Sequence, residues 1–421
     1  MNSKAKDASE MKERLSALYT SETLEGQQQR YQQVLTGFQN CFAKAPTHWF
    51  SAPGRSEICG NHTDHNMGKV MAAAIDLDIA AAVAPREDDK VVLASDVFAP
   101  IEIDLSELNA AQQDFGTSAA IVRGVAAGMR QAGLQVGGFE VYEVSDVLKG
   151  SGMSSSAAFE ILICTIFNYL YNEGKLDAIT AAQISQYAEN VYFGKPSGLM
   201  DQMACSVGGF VEIDFKDEKN PIVSPIAFDF AATGYKLIIT DCHADHADAT
   251  DDYAAIRKDM AMVSAVFGKD NLRGVSEEEF MANLGKVRKT CSDVAVMRAM
   301  HFLEENKRVE QAANALKMGD FERFKQVIIA SGRSSYMYLQ NIYSPASPRA
   351  QALSVALCVS EKLLESVGGA WRVHGGGFGG TIQAFVPGDF TEQYIAAMED
   401  LFGKNCCYQV SVRQQGGYCI Q

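Results

Sequence analysis

Several things are missing from this sequence of 421 residues, and each absence excludes a class of protein. No window holds the roughly 18 uninterrupted apolar residues that a spanning helix needs, so no membrane partner is expected. The opening stretch, "MNSKAKDASEMKERLSALY", has no apolar core of the signal-peptide kind, and a cytoplasmic address is the expectation. There is no basic surplus: 37 Lys and Arg against 52 Asp and Glu leave a net charge of −15, which argues against a nucleic-acid partner. Small anions respond to local groups instead and remain possible ligands. No CxxC pair occurs among the 10 cysteines, their spacing is irregular, and Cys406 and Cys407 are adjacent. Reduced thiols buried as small hydrophobes follow, rather than a disulfide framework. Internal repeats and low-complexity linkers are also absent. What remains is a globular composition, 47% hydrophobic and 21% charged, in a chain long enough for two domains.

Periodicity then orders the chain. Residues 10–44 predict two amphipathic helices, and "HWFSAPGR" breaks their pattern. "KVMAAAIDLDIAAAVAPR" and "KVVLASDVFAPIEIDL" read as strands, and "SAAIVRGVAAGMRQAG" as a helix stopped at Gly133. A strand, "FEVYEVSDV", runs into a glycine–serine loop and a long apolar helix. "ITAAQISQYAENVYFG" is a further helix, whereas "GGFVEIDF" and "YKLIITDC" are strands. From about Asp251 the pattern is helical, and the chain closes as helix, strand, glycine loop, strand, helix, strand. A soft boundary falls at 215–222, "FKDEKNPI", and the whole reads as a two-domain α+β protein.

Four stretches carry chemistry. "GRSEICGNHTDHNMG", residues 54–68, is too polar for a core strand and is a metal site, a sugar site or a solvated turn. In "LKGSGMSSSAAFEI" a strand meets Gly150, Ser151 and Gly152, then Met153 and the serines Ser154, Ser155 and Ser156, then a helix. Such a loop can wrap an anion with backbone N–H groups, or be an ordinary capped helix start. It is no Walker A loop, because no Gly-Lys pair is followed by Ser or Thr. "HGGGFGGTIQAFV" contains a literal GxGxxG (Gly375, Gly377, Gly380), but a strand follows it where a dinucleotide fingerprint opens a helix. "ENVYFGKPSGLMDQMACSV" sets Glu189 and Asp201 around a turn; Asp201 is expected half-buried and in need of a partner, for which Arg55 is a candidate, and taken alone the pair reads as a structural salt bridge.

In this order the motifs resemble those of the sugar kinases of the GHMP superfamily, most closely the galactokinases, from about residue 35 onward. "APGR…GNHTDHNMG" resembles the family's "APGRxNLIGEHTDYNxG", "GSGMSSSAA" resembles "GxGLSSSAA", "GLMDQ" resembles "GIMDQ", and "HGGGFGG" resembles "TGGGFGG". The resemblance implies the two-domain GHMP kinase fold, with a first domain like the second domain of ribosomal protein S5 and a ferredoxin-like second domain. The expected division is a helical extension at 1–45, a first domain at 46–217 and a second at 218–421. It further implies an ATP-dependent, Mg²⁺-assisted sugar 1-kinase, a monomer or weak homo-oligomer that binds a small sugar and ATP. Asp201 falls at the family's catalytic aspartate and Arg55 at the arginine that holds it. Gly150, Ser151, Gly152, Met153, Ser154, Ser155 and Ser156 would wrap the ATP phosphates, and Ser156 and Glu189 match the Mg²⁺ ligands. Asn61, His62, Asp64, Gly198, Tyr253 and Gly376 fall at sugar-binding positions.

Two departures bear on specificity. The family's glutamate before His-Thr-Asp, which bonds the sugar's C6 hydroxyl, is Asn61 here; the tyrosine after it is His65, and Glu57 is added. An amide donates and accepts, so Asn61 could serve a C6 hydroxyl without repelling a C6 carboxylate. Galacturonate kinases of plant type share this loss, which opens galacturonate, and beside it N-acetylgalactosamine, as alternative substrates. Against that, Asp245 stands where an arginine is common, and Asp248, Asp251 and Asp252 crowd the same segment. An acidic patch at the sugar end would disfavour a uronate, and galactose stays the expected substrate. Rival classes are a transition-metal enzyme, from the HxxH pairs in "HTDH" and "HADH", and a non-catalytic sugar and ATP sensor. The sensor reading conflicts with a complete serine loop. Mevalonate and homoserine kinases lack "HTDH".

Overall fold

A computed structural model describes residues 11–147, 152–217, 219–243 and 250–420. Among the described residues, twelve strands form two sheets. The larger begins with β1 (His48–Cys59) and β2 (Lys69–Pro85), an antiparallel hairpin whose connection carries the polar turn at 60–68. The far half of β2 pairs with β5 (Phe139–Ser145), which lies parallel to β3 (Lys90–Ser95), itself edged by β4 (Ile101–Asp104). The near half of β2 pairs with β6 (Phe210–Asp214), followed by β7 (Ile222–Ile226). The smaller sheet, all antiparallel, runs β11 (Cys407–Val410), β8 (Tyr235–Asp241), β10 (Thr381–Pro387), β9 (Ala370–Val373). The last strand, β12 (Tyr418–Ile420), returns to the first sheet beside β1.

Strand β2 shows why its sequence is an almost unbroken apolar run. Ile79, Ala81 and Val83 join the main core, while Ala80, Ala82 and Ala84 on the other face pack under α1 (Leu24–Phe42) with Tyr31, Val34 and Phe38. A strand covered on both faces has no polar alternation to display. The main core is closed by α2 (Ser118–Gln131), α3 (Ser155–Tyr171) and α4 (Ala178–Tyr187), then by α5 (Met200–Val207) at its edge. Helix α4 does not continue as one α-helix through the predicted span; residues Ala188–Phe193 form a π-helical turn, a rare geometry that accompanies functional sites.

The predicted helical region comprises α6 (Thr250–Val266), the short α7 (Glu277–Ala282) and α8 (Leu284–Thr290), and the paired α9 (Asp293–Lys317) and α10 (Phe321–Ser334). Helices α11 (Ala352–Leu364) and α12 (Thr391–Phe402) cover one face of the small sheet. Among the described residues, no helix is long and apolar enough to cross a membrane.

Candidate active site

Strand β1, the turn at 60–68, the segment 195–201, the start of α6 and the glycine loop at 375–376 meet around one cavity of about 390 Å³; the head of α3 reaches its Asp201 through Ser154. Its lining includes Arg55, Glu57, Asn61, His62, Asp64, Gly198, Asp201, Tyr253 and Gly376. Gly150 and Ser151 lie outside the described residues, as do Leu148, Asp245, His246 and Asp248.

Arg55 is presented by β1 just after a bulge at Pro53 and Gly54, where a Cβ on Gly54 would come within 2.8 Å of the Met153 carbonyl oxygen. The glycine therefore lets the strand lie directly against the glycine–serine loop. Arg55 Nε and Nη2 each stand 2.8 Å from Asp201 Oδ1, Nη1 donates to the Gly152 carbonyl, and the Arg55 backbone N–H donates to the Met153 carbonyl at 3.1 Å. Asp201 sits in the first turn of α5, and its other oxygen accepts Ser154 Oγ at 2.5 Å. Burial pushes the Asp201 carboxyl up, but the charge and hydrogen bonds of Arg55, with help from Ser154 and Lys195, bring it below the ordinary value. Asp201 is thus an ionised carboxylate with 28% of its side chain exposed. Ser154 holds a left-handed backbone, φ 58°, a strained choice for a residue with a side chain, at the N-cap of α3.

Glu189 belongs to the π-helical turn and is buried. Its Oε1 accepts Ser156 Oγ at 3.2 Å and the Lys195 ammonium at 2.8 Å; its Oε2 accepts Ser197 Oγ at 2.5 Å and Gln202 Nε2 at 2.8 Å. Gln202 also donates to Glu160 at 3.0 Å, and burial beside Glu189 keeps the Glu160 carboxyl well above its usual range. The serine run is therefore divided. Met153 faces the core, Ser154 serves Asp201, Ser156 serves Glu189, and Ser155 opens the helix.

The sugar-motif residues line the other wall. His62 donates from Nε2 to the Gly376 carbonyl at 2.7 Å, which leaves Nδ1 as a buried acceptor with no partner among the described residues. Burial, then the neighbouring His65, hold the His62 ring neutral, far below the usual histidine range. The Tyr253 ring lies 5.6 Å from His62, and a Cβ on Gly376 would come within 2.6 Å of that tyrosine. Asp64 Oδ2 is 3.0 Å from the Cβ position of Gly198, so only glycine leaves this carboxylate its space. Asn61 is fully buried, and its amide is committed inside the protein. Nδ2 donates to Glu57 Oε1 at 2.9 Å and to the Gly375 carbonyl at 2.6 Å, while Oδ1 accepts from Asn341 at 2.5 Å and from Ser335 at 3.4 Å.

Asp251 and Asp252, expected to make the sugar end acidic, open α6 and do not line the cavity; Arg257 of the same helix does, 3.2 Å from His65 Nδ1. Acidic residues belong at a helix N-terminus, which explains their crowding without reference to a ligand. The His62 and His65 rings lie 5.7 Å apart, and among the described residues no three His, Cys, Asp or Glu side chains converge as a metal site would require. Sequence reasoning did not single out Lys195, Gln202, Asn341 or Arg372. Lys195 and Gln202 lie within a stretch already quoted, "ENVYFGKPSGLMDQMACSV", where an isolated cation and an amide beside Asp201 were readable signals; Asn341 and Arg372 have no local one.

The match to known proteins agrees with this geometry. The galactokinase galactose-binding signature matches residues 36–85, and the GHMP kinases N terminal domain matches residues 119–209. A galactokinase of Streptomyces coelicolor is 32% identical over 372 residues, 87% of this chain and 91% of that protein. Among solved structures, Lactococcus lactis galactokinase complexed with galactose superposes with a TM-score of 0.77 at 24% identity, over 92% of this chain and 99% of that one. The mevalonate kinase of Methanococcus jannaschii gives 0.62 at 16% identity, over 87% and 98% of the respective chains.

Proposed function

This chain belongs to the galactokinase family, and on that premise we propose that it transfers the γ-phosphoryl group of ATP to the anomeric hydroxyl of galactose. It is a phosphotransferase acting on a sugar hydroxyl, with ATP as its second substrate. The observation that carries the finer reading is that Arg55 and Asp201 meet on the wall of one cavity while Ser154, from a third distant segment, holds Asp201 from behind.

Asp201 accepts the anomeric hydroxyl and shares its proton as the bond to phosphorus forms. Its carboxyl is a weak base, which suits a loose phosphoryl transfer that depends on positioning and charge more than on deprotonation. Arg55, held by Asp201 and by the loop carbonyl, offsets charge on the transferring group. The loop from Gly150 to Ser156 wraps the phosphates, where the head of α3 supplies N–H donors and a favourable dipole. His62 Nδ1, Asp64, Tyr253 and the backbone at Gly376 are the sugar's hydrogen-bonding wall, and Gly198 keeps Asp64 free. Asn61 orders that wall from behind.

Ser156 and Glu189 fit Mg²⁺. They are oxygen donors, one of them a carboxylate, and Mg²⁺ is commonly held by one or two such groups plus phosphate and water. The Lys195 ammonium 2.8 Å from Glu189 marks the position as one that takes a cation. When bound, the ion would neutralise charge on the phosphate oxygens. The reading includes a cytoplasmic monomer or weak homo-oligomer divided at about residues 45 and 217. An ADP-release assay with Mg-ATP across galactose, N-acetylgalactosamine, galacturonate, glucuronate, glucose and arabinose tests it. Galactose is expected to be preferred. Preference for a uronate, or no turnover of any sugar while ATP binds, would overturn it.

A further inference from the structure

One carboxylate on the cavity wall has no part in that scheme. Glu57 lines the cavity, is 5% exposed, and lies two residues from Arg55 on β1. Alternation puts Arg55 and Glu57 on the same face of the strand, roughly 7 Å apart. Asp201 is fixed to Arg55, so two carboxylates stand along one wall. All the hydrogen bonds that Glu57 accepts among the described residues fall on Oε1, from Asn61 at 2.9 Å and from the Arg372 guanidinium at 3.5 Å. Oε2 has none. Asn61 is in the opposite state. An amide offers two donor and two acceptor positions, and the side chain of Asn61 spends all of them on Glu57, Gly375, Asn341 and Ser335. It has no bond left for a ligand unless one of these breaks.

Against the motif "APGRxNLIGEHTDYNxG", this chain has Glu57 where Asn stands and Asn61 where Glu stands. The two residues are exchanged across the hydrogen bond that joins them. The cation that makes the exchange tolerable is Arg372 of β9, fully buried and anchored to the Ile58 carbonyl at 2.7 Å. A carboxylate at 57 without it would be a buried, unbalanced charge.

Resting on the galactose reading, we infer that Glu57 is a specificity-determining residue: its free oxygen accepts a hydroxyl at the end of the sugar ring remote from the anomeric carbon, and Asn61 is its positioning partner. Loss of glutamate at 61 is then a relocation of the carboxylate. The site still disfavours a sugar that carries a carboxylate at C6: that group has no hydroxyl proton to donate to Glu57, whose own carboxyl burial pushes up even beside Arg372, so a second charge there is costly.

The test is kcat/KM for galactose, 4-deoxygalactose, 6-deoxygalactose and galacturonate on the wild-type chain, on Glu57→Gln, and on the exchange variant E57N/N61E. Wild type should lose about 10- to 100-fold on at least one deoxy sugar, the range of a hydrogen bond to a charged group. Glu57→Gln should lose a similar factor on galactose, change less than about threefold on that same deoxy sugar, and improve galacturonate relative to galactose by about tenfold or more. The exchange variant should restore the wild-type ratios to within about fivefold, as a reciprocal swap preserves one carboxylate and one amide. General damage lowers every substrate by one factor and leaves the ratios alone. Equal losses on all four sugars would therefore overturn the inference, as would a wild-type chain indifferent to both deoxy sugars, a result independent of how any variant folds. Absence of wild-type turnover on galactose would instead overturn the galactose reading, and this inference with it.

Discussion

Replacing Asp201 by asparagine isolates charge from shape. Asparagine keeps an oxygen for the two Arg55 N–H groups now at 2.8 Å, and the Ser154 hydroxyl, now a donor at 2.5 Å, can turn to accept from the new amide. The local geometry should survive while the negative charge disappears. Loss of hydrogen bonds to a charged group costs about 1.5–3 kcal/mol of stability. At about 2–4 °C per kcal/mol for chains of 150–250 residues, and less for a longer one, Tm should fall by only a few degrees. The chemical step loses much more: without a group to share the anomeric proton, kcat should drop about 10²–10⁴-fold. Steady-state ADP release and a thermal melt on the same sample read both effects. Retention of kcat within tenfold of wild type, at saturating galactose and Mg-ATP, would remove Asp201 from the mechanism. The pH profile carries a second check. Arg55 and Ser154 hold the Asp201 carboxyl below its ordinary value, so its charge is present above the unfolded value of about 3.9 and is lost only as pH falls through the lower folded one. An acid limb of kcat/KM between pH 5 and 7 would have to belong to another group.

Three further outcomes follow from the same geometry. Glu189→Gln removes the charge that now holds Lys195, and the Mg²⁺ concentration for half-maximal activity should rise about tenfold or more; an unchanged Mg²⁺ titration would exclude Glu189 as a ligand. Gly376→Ala drives a methyl to within 2.6 Å of the Tyr253 ring, and KM for galactose should rise about tenfold or more with kcat little altered, a split that steady-state kinetics resolves. Asp78→Asn strips the counter-charge from two buried arginines and should cost about 3–5 kcal/mol, read from the urea midpoint, while a shift under 1 kcal/mol would refute that assignment.

What the sequence made legible was whatever a short run can encode. Glycines next to serines before an apolar helix announce a loop at a helix start, and Asp201 behind Leu199 and Met200 announces a carboxylate that needs a partner. Arg55 is that partner. The strand between His48 and Cys59 was harder to see, because Pro53 and Gly54 read as a break when they form a bulge against the glycine–serine loop. A π-helical turn has almost the same composition as the α-helix it interrupts, so the turn that carries Glu189 is invisible in "AENVYF". Glu57 was readable only as an added acid, since its meaning depends on Arg372, 315 positions away, and on the way Asn341 holds Asn61 from a separation of 280. Long-range polar partners leave no periodic trace, and here they fix both Glu57 and Asn61.

The same reasoning accounts for the helix that precedes the family motifs. On sequence alone α1 is an amphipathic extension with no stated purpose. In the fold its Arg30 donates to Asp78 Oδ1 at 2.6 Å and to the Asp78 and Val144 carbonyls at 2.7 and 2.8 Å, tying the helix to β2 and β5. Arg413, just before the returning strand β12, reaches the other Asp78 oxygen at 2.8 Å, and Tyr19 and Ser51 complete the shell. Burial alone would push this carboxyl up; Arg30 and Arg413 more than offset that and hold it down. Its contribution is therefore present above the unfolded value near 3.9 and lost as pH falls through the folded one. Strand β2 is the shared element: one end of it meets the turn at 60–68, and Asp78 locks its middle to segments from both ends of the described chain. A truncation that deletes α1 would leave Arg413 facing Asp78 without its second cation and uncover Ala80, Ala82 and Ala84. The extension is part of the scaffold that holds β1, and with it Arg55 and Glu57, in register.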